Sequence, residues 1–365
     1  MNKAILLLTI SVQLIISLSA QTTQIKKYYP GNKKIKEEYS VIINASDTIK
    51  QGLYKFYFET GIIYQRGNFK NNQLDSIWRI NFPDGQLKTE ISYKNNKRNG
   101  FYKAYYDSGK LKIQGNYKNN LREGIFTEFY ETGKIQHEYL YKKDLLNGIS
   151  KSYHANGKLQ NKSNFKNGIN QGLWESFYDT GELNYQGKKA GQYFIDTLWV
   201  YYKNKQLERI CIYKNGKLNG NFFSYHENGV KMNECLYVND KIEGTYYAYF
   251  ENGLLSETGL YQNNKKTGLW KSYYPTGELY TEGNFKNDKF EGIWKVYFKN
   301  GKLKQVGEYK NGLSEGKWKF YYENGNIWKI GEYIADKKEG KWKIFDKNGM
   351  LARKENYKND KLLDK

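Results

Sequence analysis

The chain has 365 residues, with 59 Lys and Arg against 38 Asp and Glu and a formal net charge of +21. Aromatic residues supply 17% of a sequence that is only 39% hydrophobic, with 36 Tyr and 35 Gly but 3 Pro, 3 His and 2 Cys. So many rings exclude a disordered chain, so little Pro excludes a collagen-like helix, and so few His and Cys leave little material for a metalloenzyme.

In chain order, Lys3 is followed by the apolar run Ala4 to Leu18 and the small residues Ser17, Ser19 and Ala20. That is the pattern of a secretory signal peptide over residues 1–20, cleaved after Ser19 or Ala20. The run is shorter than the roughly 18–20 residues a membrane span requires, and no later segment is apolar enough to cross. No Cys follows it, which disfavours a lipid anchor. The mature chain is therefore expected to be exported, to the periplasm, the cell surface or the medium, with no transmembrane span. Residues 21–51 read as an N-terminal cap in which Tyr28, Tyr29, Pro30, Gly31, Ile35 and Tyr39 outline a degenerate half-repeat.

From residue 52 to 365 one unit recurs. Its origins fall at Gly52, Ser76, Gly100, Gly124, Gly148, Gly172, Thr197, Gly220, Gly244, Gly268, Gly292, Gly316 and Gly340. These thirteen repeats are 24 residues apart except at Thr197, where the steps are 25 and 23, and an irregularity is expected near residues 187–206. Two positions past the origin stands a ring, among them Trp78, Trp174, Trp199, Trp270, Trp294, Trp318 and Trp342; only Ser150 breaks the row.

Each unit reads as two short strands. The first, as in Leu269 to Tyr274, ends in a Gly nine residues past the origin, often preceded by Asn as at Asn300-Gly301. Asn-Gly between strand-like runs predicts a tight hairpin turn, since both residues tolerate positive φ. The second strand places Leu303, Gly307 and Tyr309 on one face. A polar Lys-Asn-Asn/Gly/Asp connector follows. The expected fold is all-β: an elongated, twisted single antiparallel sheet of stacked β-hairpin repeats, on the order of 125 Å long at roughly 4.8 Å per strand. Each hairpin would bury its rings against the next.

The unit Gly268-Leu-Trp270, Tyr273-Tyr274, Gly277, Leu279, Gly283 and Phe285 resembles the variant MORN repeat, and the resemblance covers about residues 52–365. Bacterial chains built of this repeat are commonly named YwqK-family antitoxins. The resemblance therefore implies stacked hairpins and an antitoxin or immunity-like role in which a partner is neutralised by occlusion. The family motif is structural, so it carries no catalytic residue over.

No catalytic constellation emerges from the residues either, and no enzyme, cofactor or metal is expected. Gly312-Leu-Ser314-Glu-Gly316 matches G-x-S-x-G but occupies a polar connector, not the strand-to-helix turn a nucleophile needs. His154 and His226 stand where other units carry a ring, which makes them stand-ins for another flat side chain. Cys211 and Cys235 fall at a place usually held by Gly. Two strands apart, about 9–10 Å, they lie beyond the ~7 Å reach of a disulfide.

Binding is the remaining class of function. The candidate contacts are the tryptophan row and a row of lysines after the second-strand ring, among them Lys70, Lys94, Lys118, Lys286 and Lys310. Such lysines protect sheet edges and aid solubility; they also form a cationic track for another protein or an anionic envelope component. Lysines beside rings also suit single-stranded nucleic acid, but export and the interspersed Glu123, Glu243, Glu291, Glu315 and Glu339 argue against that partner. The expectation is an exported, non-enzymatic scaffold for protein–protein or envelope interaction, with binding to anionic lipid or glycan as an alternative to the antitoxin role.

Overall fold

In a computed structural model the chain is described over residues 22–31, 33–44 and 47–364. The segment read as a signal peptide lies outside these residues. The described residues form 31 β-strands and no helix. They divide into two compact units, one up to Leu145 and the other from Leu146 onward. Each is an open antiparallel meander in which every strand pairs with its chain neighbour.

The repeat over 265–288 shows the pattern. Strand Lys265–Tyr273 pairs with Leu279–Lys286, which pairs with Lys289–Tyr297. The two connections differ, and in the opposite sense to the sequence expectation. Asn287 and Asp288 both have positive φ (51° and 65°), so the polar connector is the tight two-residue turn. At Asn300-Gly301 only Gly301 is left-handed, at φ 77°. Its N–H donates to the Phe298 carbonyl at 2.9 Å, and the Phe298 N–H donates to the Lys302 carbonyl at 2.8 Å. That is a three-residue loop closed by a glycine bulge. Asn300 makes it rigid: its Oδ1 accepts from the Lys302 N–H, and its Nδ2 donates across to the Glu323 carbonyl of the next loop.

The origin residue is a second bulge. Between Glu282 paired with Lys295 and Asn284 paired with Glu291 the register shifts, and Gly292 at φ 69° absorbs the extra residue. This geometry corrects the irregularity. Positive φ falls at Gly172, Asp196 and Gly220, so Asp196 (φ 65°), not Thr197, is the origin, and the period holds at 24. Asp reaches this conformation more readily than most side chains. Lys205, at φ 72°, takes the loop-glycine place nine residues later.

Neighbouring residues on a strand face opposite ways. One face carries Trp294, Val296, Gly283 and Phe285; the other carries Ile293, Lys295, Glu282 and Asn284. The ring face forms the core: Trp78, Phe126, Trp270, Trp294, Trp318 and Trp342 are all buried there. At the N-terminal end, Tyr39 and Val41 of strand Ile35–Asn44 pack with Tyr54 and Trp78, so residues before 52 continue the first unit's core.

Candidate interaction surfaces

The ring face is built on a glycine. A Cβ placed at Gly259, Gly283, Gly307 or Gly331 would lie 2.0–2.1 Å from the indole of Trp270, Trp294, Trp318 or Trp342 respectively. Each indole therefore lies flat over the glycine of the preceding strand, eleven residues earlier. In two of the four the indole N–H takes up a backbone carbonyl beside the bulge: Trp294 Nε1 donates to Asn284 O at 2.9 Å and Trp270 Nε1 to Leu260 O at 3.1 Å, whereas Trp318 and Trp342 bury Nε1 without such a partner. The flanking second-strand rings meet each indole edge-on. Trp294 and Phe285 are perpendicular at 5.1 Å, and so are Trp270 and Tyr261. Edge-to-face contact is the preferred geometry for such pairs.

This packing settles where the candidate tryptophans stand. Trp78, Trp270, Trp294, Trp318 and Trp342 are buried, Trp270 to 2% exposure, so they are packing residues with no free face for a partner. Trp174 is half-buried. Trp199 leaves the row altogether: with Asp196 as origin, Leu198 occupies the ring place, opposite Cys211, and Trp199 points to the other face. The eighth tryptophan, Trp328, was not among the candidates and is 41% exposed. Its signal in the sequence is that it stands twelve residues past an origin, far from the ring place.

The cysteines and histidines fit the same scheme. Cys211 and Cys235 are free and buried at the glycine place, and burial pushes the Cys235 thiol up to about 11. His154 and His226 occupy the place of Tyr178, Tyr202 and Tyr274. Each tyrosine donates its hydroxyl to a carbonyl 23 residues ahead at 2.8 Å, and the imidazole Nε2 atoms lie 3.0 and 2.9 Å from the equivalent carbonyls. Among the described residues no group of three His, Cys, Asp or Glu is placed to hold a metal. No helix there is long and apolar enough to cross a membrane.

The lysines behave differently from the tryptophans. Lys70, Lys94 and Lys118 in the first unit, and Lys286 and Lys310 in the second, are all exposed at the two-residue turns. Several face another lysine directly across the turn: Lys94 opposes Lys97, Lys214 opposes Lys217, Lys286 opposes Lys289 and Lys358 opposes Lys361. Among the described residues none of these lysines lies within 4 Å of a carboxylate. The nearby glutamates are engaged elsewhere. Glu123, Glu243, Glu291, Glu315 and Glu339 each accept the backbone N–H of the turn residue twenty positions ahead, at 2.8–3.1 Å. They cap the turns, while the ammonium groups beside them are free.

A third surface lies on the face away from the rings. Leu260, Leu269 and Ile293 are 45, 50 and 52% exposed there, each adjacent in sequence to a ring-face Gly or Trp.

The family comparison agrees with this architecture. The MORN repeat variant family matches residues 50–71, 74–95, 98–119, 122–143, 146–167, 218–239, 266–287, 290–311, 314–335 and 338–359, more than half of the chain. The matches skip 168–217, the stretch that holds Asp196, Leu198 and Lys205. No curated protein matches. Solved structures of a TcdB2-TccC3-Cdc42 complex and a TcdB2-TccC3-TEV protein are similar at 10% and 12% identity over 93% of this chain, with TM-scores of 0.15 and 0.16. The chain spans about a quarter of the length of those proteins, 26% and 25%. Ten matched segments, on a meander of hairpins that repeats every 24 residues, make this chain a member of the MORN repeat variant family.

Proposed function

We propose that the chain is an exported, non-catalytic repeat scaffold that holds an anionic macromolecule, an envelope component or an acidic protein surface, along the lysines of its two-residue turns. The observation that carries this reading is the opposed lysine pairs. Like charges directly across a strand pair destabilise it, and solubility or edge protection needs only one lysine per turn. In a regular stack single turn lysines such as Lys70, Lys94 and Lys118 recur every second strand, about 9.6 Å apart, with an opposed pair at every third or fifth repeat, which suits a partner with repeated negative charge.

The test is capture from envelope and secreted fractions by the native chain and by a variant with Lys94, Lys97, Lys286 and Lys289 changed to Glu. Native capture should be strong at low salt and fall steeply towards physiological salt, because exposed charges are screened. The variant should capture nothing. Equal capture by both chains would refute the cationic reading.

A second reading, the antitoxin-like occlusion of a protein partner, draws support from the exposed Leu260, Leu269 and Ile293. In that case capture persists at physiological salt and is lost when Leu269 and Ile293 become Asn, since apolar contact is not screened.

A further inference from the structure

The loop margin, at the other ends of the strands from the lysine pairs, carries a groove of about 640 Å³ lined by Phe298, Phe320, Tyr322, Trp328 and the lysines Lys304, Lys329 and Lys347. We infer that this groove is a binding site for a short stretch of acidic saccharide, with sugar rings against Trp328 and Phe320 and carboxylates on the three ammonium groups.

Trp328 is not there to fill the core. Equivalent positions to Trp328 hold Lys88, Lys112, Gln160, Ser256 and Lys304 as well as Tyr64 and Tyr280, so the fold accepts almost any side chain at this place and does not require a ring. Trp328 is held by its neighbours, with Phe320 at 6.5 Å and Tyr322 at 6.1 Å, yet keeps one side open. Such a half-exposed ring has an apolar body available for contact.

The charge is equally specific. Lys329 is half-buried, with Nζ 4.3 Å from the Phe320 ring centre and 4.6 Å from that of Trp328. No carboxylate pairs with it or with Lys304 or Lys347 among the described residues. Glu323 is the single acid lining the groove, against three lysines.

The walls are preorganised. Tyr322 Oη donates to Phe345 O at 2.9 Å, and Asn324 Nδ2 donates to Lys347 O at 2.8 Å, which ties this loop to the next. The loop backbone is already satisfied: Phe298 N–H reaches Lys302 O, and Tyr322 N–H reaches Asn326 O. An extended peptide binds chiefly through free main-chain groups at a sheet edge, whereas this groove lies over hairpin loops in the middle of the meander. It offers ring faces and cations instead, which suits a stiff ligand with flat apolar faces and negative charge.

The experiment is a calorimetric titration of the full chain with hexagalacturonate, with an uncharged hexasaccharide of equal length and with hexaglutamate. Hexagalacturonate should bind, and the neutral sugar should bind at least about tenfold more weakly. Trp328→Ala should cost about tenfold in affinity, as truncation of a tryptophan anchor does. Lys329→Gln should cost severalfold and serves as the readout if Trp328→Ala disturbs the stack. The chain with the four turn lysines changed to Glu should keep its affinity, so loss of groove binding is separable from loss of the cationic margin. Undiminished binding by Trp328→Ala and Lys329→Gln would overturn the site. Hexaglutamate binding as tightly as the saccharide, or no binding by the native chain, would do the same.

Discussion

Two stretches of the second unit solve one packing problem differently. Over 255–345 the pairs are Gly259 with Trp270, Gly283 with Trp294, Gly307 with Trp318 and Gly331 with Trp342. Over 183–249 the same two places hold Gly187 with Leu198, Cys211 with Phe222 and Cys235 with Tyr246. Where the second-strand residue grows from Gly to Cys, the ring shrinks from Trp to Phe or Tyr. At Gly187 the aliphatic Leu198 does not fill the space by itself, and Phe194 completes it: a Cβ there would meet Leu198 at 2.9 Å and Phe194 at 3.2 Å. Lys189 stands where other repeats carry a second-strand ring, with its ammonium 4.0 Å from the Trp174 ring centre and 4.6 Å from that of Phe194. Over these two stretches, growth at one place is offset by shrinkage at the other, as dense packing requires.

The comparison breaks first at the rings. Trp270→Ala should destabilise the chain by about 3–5 kcal/mol, read as a shift in the urea midpoint. Phe222→Ala, where Cys211 already takes part of the volume, should cost less. Equal losses would mean that the two stretches are not packed on a common plan. Next comes the glycine itself: Gly283→Ala drives a methyl into the Trp294 indole and should cost about 1–3 kcal/mol by overpacking. Cys235→Ala keeps its Cβ and should cost less than Gly283→Ala. The double change Cys235→Gly with Tyr246→Trp should be tolerated better than either change alone.

The thiol gives a pH test of the same contrast. Burial raises the folded Cys235 thiol to about 11, while an unfolded thiol titrates near 8.5. The folded chain then holds its proton where the unfolded chain has released it. Stability from the buried neutral thiol is therefore complete below about pH 8.5 and is lost as pH rises towards 11. Cys235→Ala should flatten the decline of the urea midpoint over that interval, and an identical decline in both chains would exclude the thiol as its cause.

The sequence disclosed the period, the hairpins and the packing role of His154 and His226, because each follows from spacing. Three things were not legible, for separable reasons. Asp196 is hidden in the sequence because Gly marks all the other origins but Ser76, and Thr197 with Trp199 makes a plausible substitute; counting 24 from both Gly172 and Gly220 finds it. The two turns were exchanged because Asn-Gly suits both a two-residue turn and a three-residue loop, and only the ladder register tells them apart. Burial of the tryptophans was written in the glycine eleven residues before each, a pairing that means nothing until the strands are laid side by side. Trp328 carried the opposite signal, since no glycine precedes it at that distance.

The smallest effect concerns the loop residue of the irregular stretch. Lys205 sits at φ 72° where Gly301 sits at 77°, and both close their loops with the same pair of hydrogen bonds. A left-handed conformation costs an ordinary L-residue about 1–2 kcal/mol, and glycine gives back part of that through greater freedom in the unfolded chain. Lys205→Gly should therefore stabilise the chain by about 0.5–1 kcal/mol. The reciprocal Gly301→Ala isolates the backbone term, because a Cβ at Gly301 has nothing within 4 Å. It should destabilise by about 1 kcal/mol. If the two substitutions moved the urea midpoint in the same direction, the loops would not share a conformation, and the uniform 24-residue period through Asp196 would lose its support.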